Sequence, residues 1–267
     1  MMRRPSVLAF SFCFVFTVEA VAHDLWLIPP EKATSKKSVG IEASVGMDFP
    51  ISTFAADTER YPRKFVVAPD GKTLPLKSAG KKDLFALLEF EPAAPGLHQI
   101  AVETTPKIIE LDADKFNDYL VTDGLPHIFR LRVKEKTLDR PAVERYRKSP
   151  KALVPVGNGA LAGWDKALGL PLEIVPLVNP FDRKVGDTLK VRVLFQKQPL
   201  AGANLGWQRP GDGDTPSGYV RSDAKGEALI PIAQTGLMTI RLTHMTRPKT
   251  PDYEWESFWT TLTFRIP

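Results

Sequence analysis

A chain of 267 residues with 43% hydrophobic residues is long enough to bury one large core or two ordinary ones. Its 36 basic and 31 acidic residues are interspersed along the chain, without the clustered basic stripe that a nucleic-acid partner requires. The single cysteine, Cys13, excludes an internal disulfide.

The first 22 residues have the form of a secretory leader. Arg3 and Arg4 precede an apolar run of 12 residues, Val7–Val18, and Ala20 and Ala22 are the small residues a signal peptidase requires. The run is too short to span a bilayer, which takes roughly 20 residues. Cleavage after Ala22 makes His23 the first residue of the mature chain and removes Cys13. No thiolate metal site or cysteine nucleophile is then available. Export without disulfides predicts a periplasmic location.

Beyond the leader, short apolar runs recur between turn residues. Lys64–Ala68 is the first clear strand, closed by the turn Pro69-Asp70-Gly71. Asp83–Phe90 and Leu97–Val102 follow, separated by Pro92, Pro95 and Gly96. Asp112–Leu125 predicts a short helix capped by Asp112 and ended by Gly124, with Phe116, Tyr119 and Leu120 on one face. His127–Val133 (HIFRLRV) returns to a strand pattern. Arg140–Leu153 is expected to be a charged helix or irregular connector on the surface.

Strand and turn signals restart after Pro155. They give Leu172–Leu177, Thr188–Phe195, Glu227–Ile232, Gly236–Thr243 and Phe258–Ile266. Spacings of roughly 8–12 residues with few helices predict an all-β chain. It is divided into two β-sandwich domains, Ig-like or carboxypeptidase-regulatory-like, over residues 23–150 and 151–267, with one or two short helices. The join is placed in the Gly-rich stretch 150–165.

The C-terminal half carries "GDTLKVRVLFQKQPLAGANLGW" and "SDAKGEALIPIAQTGLMTIRL", which resemble the modules of carboxypeptidase regulatory-like domains. Together with "AHDLWLIPP", "ERY" before "RKFVVAPDG", "LPLEIVPLVNP" and "YEWESFWTTLTFRIP", the chain resembles the NikM-like periplasmic family from His23 to its end. That resemblance implies an exported β-sandwich protein that handles a divalent transition metal. Its implied partner is a membrane metal-uptake component. It implies no catalytic mechanism.

The residues point independently to metal chemistry. Four histidines are present: His23, His98, His127 and His244. An N-terminal His23 offers its imidazole and its α-amine to one ion, and a second imidazole completes a histidine brace. Such a brace suits copper or nickel; cobalt and zinc also accept nitrogen ligands. His244, at the end of Gly236–Thr243, is the expected second imidazole, with Met245 beside it as a core methionine or a thioether donor. His98 is a structural ring or an alternative ligand. Glu256 is an expected carboxylate of the metal site, and it and Asp24 would either ligate the ion or support its ligands. The leading expectation is a non-enzymatic protein that binds the ion and assists its uptake or buffering. A copper oxidase using the same brace, with Trp26, Trp207 and Trp255 as substrate-facing aromatics, is the first alternative. A metal-free structural or carbohydrate-binding sandwich is the second.

Overall fold

The computed structural model describes residues 23–249 and 252–267. The leader expected over residues 1–22 lies outside the described residues. The chain is mostly β, with three sheets and two short helices. The strands of the first half are β1 (Asp24–Ile28), β2 (Val39–Gly46), β3 (Arg63–Val67), β4 (Thr73–Pro75), β5 (Lys77–Lys82), β6 (Phe85–Phe90), β7 (Gly96–Glu103) and β8 (Lys107–Leu111). Helices α1 (Ala113–Thr122) and α2 (Pro126–Glu135) follow, then β9 (Ala142–Lys148) and β10 (Lys151–Val156). The rest comprises β11 (Leu172–Pro176), β12 (Thr188–Phe195), β13 (Gln198–Pro199), β14 (Asn204–Gln208), β15 (Gly218–Arg221), β16 (Glu227–Pro231), β17 (Gly236–Thr246) and β18 (Trp255–Ile266).

One sheet has the order β1-β2-β6-β5, and another joins β11, β12, β13 and β16. Between them runs a ten-stranded sheet, β15-β14-β17-β18-β10-β7-β3-β4, to which β8 and β9 add beside β18. Alternation explains the faces. In β12, Leu189, Val191 and Val193 point inward and their neighbours outward. In β18 nearly every residue is buried, because the strand has neighbours on both edges and layers on both faces.

Parity along β17 and β18 sorts these layers. Met238, Ile240 and Leu242, with Phe258, Leu262 and Phe264, pack against the β11–β12–β16 sheet. Met245, Trp255 and Trp259 face the opposite way, under the two helices. A further core joins the β1–β2–β6 sheet to β3, β7 and β10.

Two expectations are corrected. HIFRLRV is not a strand but most of α2, which buries Ile128 and Arg132, one helical turn apart, and starts with Pro126 in the first turn. Gly124, with φ +73°, lets α1 turn directly into α2. The charged segment Arg140–Leu153 is neither helix nor surface connector. It forms β9 and β10, two pieces of one path parallel to β18, interrupted at Ser149-Pro150. Its charges have partners inside the fold, which is why a polar sequence is held as a strand.

Both the ten-stranded sheet and the cores join residues from the two halves of the chain. Strand β10 pairs with β7 from Lys151 to Val156 and buries Ala152, Val154 and Val156 in the N-terminal core. The stretch that follows Val156 lies within the expected join at 150–165, and the ten-stranded sheet contains strands from before and after it. A buried ion pair, Lys151 Nζ to Glu173 Oε1 at 2.8 Å, ties β10 to β11 across that stretch. Glu173 also accepts from the backbone N–H groups of Leu168, Gly169 and Leu170. Replacing Lys151 by Met strands this carboxylate, so we expect a loss of about 3–5 kcal/mol in denaturant unfolding. The double variant with Glu173→Gln should recover part of it.

Candidate functional site

The start of β1 is where the charged groups of the fold converge. Strand β1 pairs with β2 and lies across the ten-stranded sheet, held there by side chains. Thr261 Oγ1 donates to the Leu25 carbonyl at 2.8 Å, and Arg265 Nη2 to that of Pro29 at 3.2 Å. At its first residues the hold is ionic. Lys148 Nζ donates to the His23 carbonyl. Arg241 Nε stands 2.6 Å from Asp24 Oδ2, a contact ion pair, and its Nη2 donates to Asp123 Oδ1. The His23 ring packs on Phe54, centroid to centroid 4.0 Å.

A second group of polar residues adjoins the first. Glu144 Oε1 accepts from Tyr119 Oη at 3.2 Å and from Ser257 Oγ, which in turn accepts from Trp259 Nε1 at 2.9 Å. Burial pushes Glu144 up to about 7 and Asp123 up to about 6, and pulls Lys148 down to about 8. Burial also raises Asp24, against the pull of Arg241 and Lys148. Burial opposes the charge of Arg241, but Asp24 and Asp123 together hold it above its ordinary value. Glu144 Oε2, Arg241 Nη1 and Thr243 Oγ1 are buried without a hydrogen-bond partner.

The expected ligands do not meet. Paired residues of an antiparallel ladder share a face, and His244 pairs with Phe258. His244 therefore projects toward the β11–β12 layer, where its ring lies 4.5 Å from that of Phe195. Asp24 contacts Arg241, three positions away on β17 and so on the other face. The sheet thus stands between His23 and His244, and the expected brace is not formed. Met245 is a core residue under the helices, not a ligand. Glu256 shares the His244 face, but Arg145 at 2.8 Å and Arg147 at 3.3 Å hold its carboxylate. His98 is fully buried in the N-terminal core, its Nδ1 3.2 Å from the Gly96 carbonyl and its ring 5.4 Å from Phe90. His127 lies on α2.

Among the described residues, no three His, Cys, Asp or Glu side chains are grouped to hold a metal ion. Trp26 and Trp255 are fully buried, which removes two of the three aromatics expected on an open oxidase surface. Asp212 is taken by Arg209 and Ser217, and Ser222 closes a turn by donating to the Leu200 carbonyl.

Sequence reasoning missed Arg241, Asp123, Glu144 and Lys148. One signal was present: Arg241 is the lone charge in the apolar strand GLMTIRLT, a placement tolerated only with buried counter-charges.

Burial lowers His244 to about 4, with His127 adding to the effect. A histidine depressed in the folded state contributes full stability above its ordinary value near 6.5, and that stability is lost as pH falls through 4. Glu144 and Asp123 act in the opposite sense, since protonation relieves their burial. Comparing His244→Phe with the parent isolates the histidine. The variant should lose roughly 2–3 kcal/mol less than the parent between pH 6.5 and 4 in urea unfolding; parallel curves would show that His244 is not buried as described.

The filamin domain of Lin-41 matches 29% of this chain and 74% of that one, at 14% identity and a TM-score of 0.21. The D0-D1 domain of intimin matches 90% of this chain and 97% of that one, at 12% identity and a TM-score of 0.23. The D00-D0 domain of intimin matches 91% and 100%, at 8% identity and a TM-score of 0.22. Likenesses of this size bear on neither architecture nor activity. No curated protein matches the chain. The family described as a domain of unknown function (DUF4198) matches residues 20–246, and the chain belongs to that family.

Proposed function

We propose that this is an exported, periplasmic protein that binds one divalent transition-metal ion through His23 and assists its uptake or buffering. The observation that carries the reading is the clamp on the start of β1. Lys148 holds the His23 carbonyl, Arg241 holds the neighbouring Asp24, and Phe54 supports the imidazole. A ligand held by such supports has less freedom to lose when an ion arrives.

His23 fits the first donor set of such a site. Once the leader is removed, its imidazole and α-amine close a chelate on one ion, the amine losing its proton as it binds. Copper and nickel accept this nitrogen pair best. His244, Glu256 and His98 play no part in it, being on the other face, paired with arginines, or enclosed in the core.

The test is the intact mass of the protein exported by its native host, followed by titration of that sample with Cu(II) and Ni(II). A chain starting at His23 that binds one equivalent, and loses it in His23→Ala, is the expected result. Equal binding by the His23→Ala variant overturns the reading.

A further inference from the structure

We infer that Met47 supplies a thioether to the ion held at His23, which makes copper the metal of this site. The inference rests on the reading of His23 as a ligand and names the ion that ligand receives.

The register carries it. The β1–β2 ladder runs from Ile28↔Glu42 to Asp24↔Gly46, so the next residues outward, His23 and Met47, leave the ladder side by side. Leu25 lies opposite Val45, and the positions two further out on each strand are His23 and Met47. Phe54 confirms the direction of the His23 ring. Phe54 bridges to Val45 and its ring touches that of His23, so the imidazole reaches across the end of β2 on the Val45 side.

Met47 is also an unusual methionine for this fold. It is half-buried, yet it belongs to none of the apolar clusters that absorb Met238 and Met245. Its turn is fixed: Gln208 Nε2 donates to the Met47 carbonyl at 3.0 Å, and the Ile51 N–H to that of Asp48 at 2.7 Å. In the same turn Asp48 Oδ1 is buried with no hydrogen-bond partner, an oxygen that a nearby cation would compensate.

The donor chemistry then selects the ion. Among the described residues no three His, Cys, Asp or Glu side chains are grouped, so imidazole and carboxylate alone do not furnish a full ligand set at His23. The α-amine and the Met47 thioether add two donors of other kinds. Thioether sulfur is soft and suits Cu(I), whereas harder imidazole and amine nitrogens serve nickel as well as copper.

The experiment uses the exported protein beginning at His23, as the parent and as Met47→Leu and His23→Ala. Cu(I) and Ni(II) affinities are measured by competition with chromophoric chelators, and the Cu(I) forms by X-ray absorption. Met47→Leu conserves volume, and unchanged thermal unfolding of the apo variant would show that the fold survives. We expect Met47→Leu to lower Cu(I) affinity by about 10–100-fold, the range that even supporting changes around a metal produce. Ni(II) affinity should hold within about threefold, and the sulfur scatterer seen in the parent should vanish. Cu(I) affinity unchanged in Met47→Leu, or no sulfur scatterer in the parent, overturns the inference while leaving His23 as a ligand. Binding unaffected by His23→Ala overturns the reading beneath it, and the Met47 assignment with it.

Discussion

Replacing Arg241 by Met should lower the unfolding free energy by about 3–5 kcal/mol, the cost of leaving buried charges without their partner. Arg241, Asp24 and Asp123 are each about 3% exposed or less at the side chain. The guanidinium is the contact through which Asp24, and with it the start of β1, is tied to β17 and to the end of α1. The pH dependence identifies the cause. With Arg241 present, Asp123 already stands at about 6; without it both carboxylates move higher in the folded state. A carboxylate raised above its unfolded value destabilises the fold at pH above its folded pKa, and that penalty fades as pH falls toward about 4. The deficit of Arg241→Met, measured in urea, should therefore be largest at pH 7–8 and shrink by pH 4. Adding Asp24→Asn and Asp123→Asn should recover much of it at neutral pH. A deficit independent of pH would mean that Arg241 acts by packing alone.

An extra residue retained before His23 should weaken binding of Cu(II) or Ni(II) by roughly 100-fold, the scale on which tethering one donor to another acts. The added residue moves the α-amine away from the imidazole and replaces a tight chelate with a longer, looser one. The stability of the apo protein should be unchanged, because the contacts of Lys148, Arg241 and Phe54 with residues 23 and 24 use the carbonyl and the side chains. The comparison is made at fixed pH by chelator competition on two preparations with verified starts. Equal affinities would remove the amine from the site.

Much of the architecture was legible because burial in strands leaves a period-two imprint. Thr188–Phe195 alternates and is β12; Asp112–Leu125 carries an apolar face and a terminal glycine and contains α1, with Asp112 at the N-cap position but making no side-chain capping bond. The pattern failed where tertiary partners override it. HIFRLRV has apolar residues at spacings that fit a strand or a helix, and burial of Ile128 in the helix-covered core that also holds Trp255 accompanies the helix. Arg140–Leu153 carries enough charge to suggest a surface connector, yet Glu144, Arg145 and Arg147 all have their partners on β18, in Ser257 and Glu256.

For the candidate site the division falls differently. The sequence by itself determined the residue types on hand for the proposed site: His23 directly after Ala-Val-Ala, no cysteine beyond Cys13, and three further histidines spread along the chain. Sequence separation carries no information on which face of a sheet a side chain occupies. Only the tertiary structure decided that His23 and His244 stand on opposite faces of the ten-stranded sheet, since a shift of one residue along a strand reverses every side chain. A different pairing, that of β1 with β2, sets Met47 next after the end of the ladder from which His23 emerges, in an antiparallel alignment that depends on the core beneath it.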